Sequence, residues 1–176
     1  MIKLKCLPGK HLYLCKTTNI KNFMKQKNLS FDYIRGLVDG EGTFTFCTAT
    51  SWNKNKKVKV PAFQLRMHIR DKELIEAVRD FLGLKNKVYI YHYPGKDGVK
   101  RGAQAMLIVR EFNNLKDIII PLFYKNLIGH KNKQFMEWLE KMGSDLDVPE
   151  SFKSLYRLYK WGIYDENPKF TEKFRD

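Results

Sequence analysis

The sequence is poor in cysteine, in acidic residues and in long apolar runs, and each shortage argues against a class of protein. Its three cysteines, Cys6, Cys15 and Cys47, show no CxxC spacing, which argues against a disulfide framework and against a zinc ribbon. No apolar run approaches the roughly 18 residues that a membrane span requires. The lysine-containing start of the chain has no sustained apolar segment, so we expect an intracellular protein without a secretory signal.

Lysines and arginines outnumber acidic residues by 33 to 19, which gives the 176 residues a net charge of +14. Such an excess indicates an anionic partner, most often a nucleic acid, although positive charge can also serve solubility alone. Residues 1–28 contain seven lysines and little apolar patterning. We predict a basic N-terminal arm over residues 1–28, either a solvated tail or a phosphate-binding arm. One folded domain should follow over residues 29–176.

The apolar periodicity predicts helices and strands in the order α-β-β-α-β-β-α, with further helices towards the C-terminus. Ser30 is a typical helix N-cap, and the helix that follows it should end near residues 40–42. The predicted strands are residues 43–52, 58–69, 87–93 and 104–109. The predicted later helices are residues 71–82, 115–124, 131–142 and 149–164. This order indicates an α+β fold with a four-stranded antiparallel sheet and helices on its other face.

The second predicted strand has the clearest pattern, because apolar and polar residues alternate from Phe63 onwards. Such alternation gives a strand one buried face and one polar face. The residues predicted to point away from the core on this strand are Gln64, Arg66, His68 and Arg70. On the first strand Phe44 and Phe46 should point to the core, which turns other residues outward: Thr45, Cys47, Ala49 and Ser51. A similar alternation on the third strand involves residues that either contact nucleic acid or cover the sheet: Tyr89, Tyr91 and Tyr93.

The first predicted helix combines two glycines with two acids at its end. Gly36 and Gly40 lie four residues apart, and glycine costs about 1 kcal/mol in a helix interior. Their spacing indicates the close approach of another backbone, either a second helix or a strand of the same chain. Asp39 and Glu41 face the negative end of the helix dipole, which is unfavourable unless a cation compensates. Carboxylates beside free carbonyl oxygens suit a hard divalent ion such as Mg²⁺.

Residues 34–42, Ile-Arg-Gly-Leu-Val-Asp-Gly-Glu-Gly, resemble the signature of the LAGLIDADG homing endonucleases. Together with the predicted order of elements, the resemblance covers roughly residues 30–142. A single copy of the motif is similar to the homodimeric branch, in which two motif helices pack together across a two-fold axis. The resemblance therefore implies a homodimer whose interface includes Gly36, Leu37 and Gly40.

The resemblance also implies a catalytic site. The acid at the eighth motif position, Glu41, would bind the catalytic metal, and Gly40 would add its backbone carbonyl. The metal would be Mg²⁺, with roughly two or three ions per dimer. The polar residue that the family places after the second strand, near the attacking water, corresponds to Asp71. The lysine that precedes a later helix corresponds to Lys131 and would stabilise the charged transition state. For Lys131, a solvated cation near a helix start is the alternative interpretation.

The expected function is a Mg²⁺-dependent, intron-encoded endonuclease that makes a double-strand break in a DNA target of about 20 base pairs, read by the polar face of the sheet. Two alternatives use the same scaffold: a maturase that binds intron RNA, and a DNA-binding protein that does not cleave. A structural RNA-binding protein is a third, since the net charge alone suffices for it. A chloroplast or a mitochondrion is one expected location.

Overall fold

Helix α1 (Phe31–Glu41) begins at the predicted cap. The Ser30 hydroxyl accepts the Tyr33 backbone N–H at 3.1 Å, which satisfies one of the donors that a helix start leaves unpaired. Ile34 and Val38 are fully buried, and the helix continues directly into the first strand. The computed structural model describes residues 29–50, 56–92 and 102–175; the predicted arm, Ser51 and Tyr93 lie outside these residues.

The described strands form one antiparallel sheet in the order β1-β2-β4-β3. They are β1 (Gly42–Thr50), β2 (Lys57–His68), β3 (Val88–Tyr91) and β4 (Gln104–Val109). Phe44 lies opposite Phe63, and Phe63 lies opposite Val109, so three strands turn apolar residues to the same side. The predicted α+β class and the four-stranded antiparallel sheet are confirmed.

Strand β2 ends earlier than its alternation predicts. Ile69–Asp71 forms a 3₁₀ turn, in which His68 Nδ1 accepts the Arg70 backbone N–H at 3.3 Å. Arg70 therefore lies in this turn and not on the polar face of the strand, contrary to the prediction. Asp71 is the residue before helix α2 (Lys72–Phe81), three residues beyond the end of the strand.

The core lies between the inner face of the sheet and the helices, and Phe44 is at its centre. The Phe44 ring centroid is 4.8 Å from that of Phe135, 5.4 Å from Trp138, 5.5 Å from Phe63 and 5.7 Å from Phe123. Aromatic pairs at such separations add about 0.5–1.5 kcal/mol each beyond the burial of area. Helix α4 (His130–Ser144) carries Phe135 and Trp138 and is thereby fixed against β1.

The helical stretch of residues 112–123, α3, is distorted at its middle. Its α-helical turns, Phe112–Asn114 and Ile120–Phe123, flank a π-helical segment, Leu115–Ile119. Pro121 has no N–H to donate to the carbonyl of Asp117, four residues earlier. The Lys173 ammonium donates to that carbonyl at 3.1 Å instead, which ties the C-terminal segment to α3.

The last predicted helix is interrupted. Helix α5 (Glu150–Lys160) is followed by a turn at residues 161–162 and by two short helices, α6 (Ile163–Glu166) and α7 (Pro168–Thr171). Gly162 has a φ of 71°, a left-handed conformation that glycine adopts without steric cost. No described helix combines the length and the apolarity needed to cross a membrane.

Candidate functional site

One side of helix α1 is open to solvent. We define the open face of α1 as Tyr33, Gly36, Leu37 and Gly40. Tyr33 is 47% exposed, and a methyl group added at Gly36 or at Gly40 would meet no atom within 4 Å. Neither glycine is therefore needed to admit a strand or side chain of the described residues. This finding argues against packing within the chain as the reason for the glycine spacing.

Glu41 is the last residue of α1, and it is exposed. The next residue, Gly42, is buried, and a Cβ atom there would lie 2.5 Å from the Val38 side chain, so the joint between helix and strand requires glycine. The Gly42 N–H donates to the Val38 carbonyl. The helix ends here, so the carbonyls of the residues after Val38, including Gly40, have no N–H groups of a further helical turn to accept. Glu41 and these carbonyls together form an exposed set of oxygen donors of the kind that Mg²⁺ prefers.

Asp39 connects the end of α1 to the start of α4. Its Oδ2 atom accepts the Ile128 backbone N–H at 3.2 Å, and a Cβ atom at Gly129 would lie 4.0 Å from its Oδ1 atom. Oδ1 is buried and has no hydrogen-bond partner among the described residues. Lys131 stands in the first turn of α4, directly after this contact. The contact therefore brings the helix that carries Lys131 to the end of the helix that carries Glu41.

The outer face of the sheet carries the residues that the alternation of β2 predicts to point outward. Gln64 is half-buried, whereas Arg66 and His68 are exposed, and Gln64 Nε2 donates to Cys47 Sγ at 3.8 Å. The other predicted outward residues that the structure describes are half-buried or exposed: Thr45, Cys47, Ala49, Tyr89 and Tyr91. His68 is held at the end of strand β2 by its contact with Gly102. Its imidazole lies so close to Gly102 that a Cβ atom on this glycine would be 2.4 Å from Nε2.

Comparison with known proteins agrees with this arrangement. A family model described as LAGLIDADG endonuclease matches residues 34–142. This chain belongs to the LAGLIDADG endonuclease family. It is similar to the meganuclease I-SmaMI bound to uncleaveable DNA, with 23% identity and a TM-score of 0.53 over 78% of this chain and 46% of that chain. It is also similar to the homing endonuclease I-TnaI, with 24% identity and a TM-score of 0.53 over 84% of this chain and 95% of that chain.

The two structural similarities differ in how much of the other protein they include. This LAGLIDADG chain spans about half the length of I-SmaMI and nearly the whole length of I-TnaI. Both similarities confirm the fold, an open antiparallel sheet with helices packed on one face. The resemblance seen in the motif at residues 34–42 is confirmed as family membership.

The strand register shows which residue of β2 lies nearest to the end of the LAGLIDADG helix. Gly42 pairs with Leu65. Because the two strands are antiparallel, the residue before Gly42, Glu41, and the residue after Leu65, Arg66, adjoin this pair at the same end. Asp71 lies five residues further along and forms an ion pair with Arg70 at 3.6 Å. Arg66 is therefore closer in the register to the motif acid than Asp71 is. The alternation of β2 identified Arg66 as outward-facing, but only the register shows its position beside Glu41.

Glu41 does not belong to a larger cluster of metal-binding side chains among the described residues. Within the described ranges, no three His, Cys, Asp or Glu side chains are grouped so that they could hold a metal ion. Asp39, the other acid of the motif, is directed to the backbone before α4. Among the described residues, the donors at this point are thus the Glu41 carboxylate and nearby carbonyls, which fill few of the positions around a cation.

Arg35 occupies a role that sequence reasoning did not find. Its guanidinium donates to the Phe174 carbonyl at 2.5 Å, to the Leu122 carbonyl at 3.3 Å and to Asp32 Oδ1 at 2.6 Å. These bonds fix the C-terminal segment against the motif helix. Partners 87 and 139 residues away in the chain leave no local signal in the sequence.

The positive charge of this LAGLIDADG chain is distributed unevenly along the sequence. Residues 54–70, which include β2, contain six lysines or arginines and no acidic residue. Residues 112–176, which form the later helices, contain eleven basic and ten acidic residues. Several of these acids are paired, as in Glu140, whose pKa is lowered by a hydrogen bond from Lys160. Residues 54–70 thus hold an excess of basic residues, as residues 1–28 also do, and the helical layer is close to neutral.

Proposed function

We propose that this chain is a site-specific homing endonuclease that cuts both strands of a long DNA duplex in a divalent-cation-dependent reaction, as a homodimer. The observation that carries the proposal is the exposed Glu41 at the joint between the motif helix and a sheet whose outer face carries Gln64, Arg66 and His68. The similar protein I-SmaMI has been solved on an uncleaved DNA target in the presence of calcium ions, which supports both a duplex substrate and a divalent cation.

Dimerisation would use the open face of α1. Gly36 and Gly40 leave room there for a second backbone, and close helix pairs use small residues at this spacing. A second copy would bring a second Glu41 to the two-fold axis and so add a second carboxylate to the site. The match over 95% of the homing endonuclease I-TnaI supports the proposal that one such unit is the chain of each protomer.

The catalytic role proposed for Glu41 is to hold the cation, with the Gly40 carbonyl as a second donor. A divalent cation bound there, such as one of two or three Mg²⁺ ions, would activate water and stabilise the leaving 3′-oxygen. Lys131 would place its ammonium near the scissile phosphate, where negative charge increases in the transition state. Asp71 is proposed to order water at the edge of this site.

Sequence readout is proposed for the outward residues of the sheet. A β-ribbon fits the major groove, where Arg and Gln side chains make paired hydrogen bonds to guanine and adenine. Strands β1 and β2 have 9 and 12 residues, which corresponds to about 30–40 Å and thus to about ten base pairs. A dimer would then read a target of about 20 base pairs. Tyr89 and Tyr91 lie on the same face and would contact the same groove.

The proposal is tested by Glu41→Gln, which keeps the shape of the side chain and removes its charge. Plasmid DNA that joins the exons flanking the candidate intron serves as substrate, with Mg²⁺ added. Cleavage should be lost and duplex binding largely retained, because Glu41 would contact metal and not bases. The matched control is Glu137→Gln, at an exposed position of helix α4, which should cleave normally. Cleavage by the Glu41 variant would refute its role, and RNA binding without any DNA cleavage by the unaltered protein would favour the maturase alternative.

A further inference from the structure

The outer face of the β1–β2 pair changes in chemical character along its length. Beside the motif acid it presents polar groups, because Thr43 lies opposite Gln64. Further from Glu41 we define the distal patch as two pairs, Cys47 opposite Val60 and Ala49 opposite Val58. All four of its residues are half-buried. None carries a charge, and only the Cys47 thiol can take part in a hydrogen bond.

The distal patch lies in the most basic part of the described sheet. Lys59, which lies between its two valines, points to the other side of the strand and donates to Asp145 at 2.8 Å. That hydrogen bond lowers the pKa of Asp145 and keeps the Lys59 ammonium on the helical side. A partner of this face should therefore present apolar groups to the distal patch itself, and negative charge to the exposed Arg66 and His68 further along β2.

Duplex DNA has this combination of groups in its major groove. Each A·T pair presents the thymine 5-methyl group there, whereas a G·C pair presents only donors and acceptors. Valine and alanine side chains cannot satisfy the polar edge of a base pair, so a methyl group is the one feature that they can recognise. Small side chains also let the strand approach the floor of the groove closely.

We propose that the distal patch reads thymine methyl groups, so that the outer part of each half-site is rich in A·T pairs. This inference rests on the proposed function and names the base composition that the enzyme would select. It contrasts with the inner part of the half-site, where Gln64 and Arg66 would select adenine or guanine by hydrogen bonds.

The positions follow from strand geometry. Successive outward residues on one strand, which are two residues apart, are separated by about 6.7 Å, and this is the length of about two base pairs. The Cys47–Val60 pair is four residues beyond Thr43–Gln64, and the Ala49–Val58 pair is six residues beyond it. Preferred A·T pairs are therefore expected about four and about six base pairs further from the cleavage position than the pair that Gln64 contacts.

The test begins by selecting bound sequences from a pool of randomised DNA duplexes with the full chain, without added Mg²⁺. The selected sequences should show A·T pairs at both outer positions. Each outer thymine is then replaced by deoxyuridine, which removes only the methyl group, and affinity should fall about fourfold per methyl. The same replacement at a thymine beside the Gln64 position should have no effect.

Protein variants assign the effect to the distal patch. Val58→Ser and Val60→Ser remove both methyl groups of each side chain and add a hydroxyl, and they should remove the preference for thymine over deoxyuridine. Thr48→Val, on the opposite side of β1, is the matched control and should keep it. Enrichment of G·C pairs at the outer positions, or equal affinity for thymine and deoxyuridine, would overturn the inference. Selection of no sequence at all would instead refute the proposed function, and the inference with it.

Discussion

Replacing Trp138 by phenylalanine should destabilise the protein, because it removes one hydrogen bond and part of one ring from the core. The indole Nε1 of Trp138 donates to the Thr45 carbonyl at 2.8 Å, and Trp138 is only 2% exposed. Strand β1 is an edge of the described sheet, and an edge strand leaves some backbone groups without a partner in the ladder. The bond therefore attaches α4 to β1, the strand whose Thr45 side chain is proposed to contact DNA.

The magnitude follows from two contributions. Loss of the donor costs about 1–2 kcal/mol because a buried acceptor loses its partner. The smaller phenyl ring leaves a cavity that costs about 1 kcal/mol in a core that cannot collapse fully. We expect a decrease of about 2–3 kcal/mol in the free energy of unfolding, which is a large part of the about 5–15 kcal/mol that stabilises a domain.

Urea unfolding followed by far-ultraviolet circular dichroism measures this change without depending on tryptophan fluorescence. The matched control is Trp161→Phe, since Trp161 is 69% exposed and its replacement should change the stability by less than about 0.5 kcal/mol. If Trp138→Phe had as small an effect as the control, the hydrogen bond to Thr45 and the packing around Phe44 would not be supporting the sheet as argued.

Three further predictions concern pH, assembly and charge. The hydrogen bond from Lys160 lowers the pKa of Glu140, so its stabilisation is present above the carboxylate's unfolded pKa and is lost as pH falls through the folded pKa. Glu140→Gln should therefore unfold more easily than the parent protein at neutral pH, and the difference should shrink as the solution is acidified. Gly36→Leu should leave the monomer folded, since space is free around Gly36, and should shift sedimentation from dimer to monomer; an unchanged dimer would exclude the open face. Deletion of residues 1–28 should make DNA affinity less sensitive to salt if this arm binds phosphates, and an unchanged salt slope would identify it as a solvated tail.

Local patterns predicted the elements that carry the site. The Ser30 cap, the apolar stripe of α1 and the alternation in β2 are short-range features, and the structure confirms all three. The early end of β2 was not predicted, because Ile69 continues the alternation while the chain already turns towards α2. A glycine inside the last predicted helix was a usable signal for its interruption at Gly162. The bonds of Arg35 were beyond any local pattern, because they join residues that only the tertiary fold brings together.

The two acids of the motif show why spacing on a helix matters more than residue type. Successive residues of an α-helix are turned by about 100°, so Asp39 and Glu41 point about 200° apart. Asp39 therefore faces its own chain and accepts the backbone N–H before α4, while Glu41 remains exposed. From residue type alone, both acids are candidates to bind a metal. In the structure Glu41 is exposed, whereas Asp39 is half-buried. Asp39 instead has a structural role beside the site, because it fixes the helix that carries Lys131 against the end of α1.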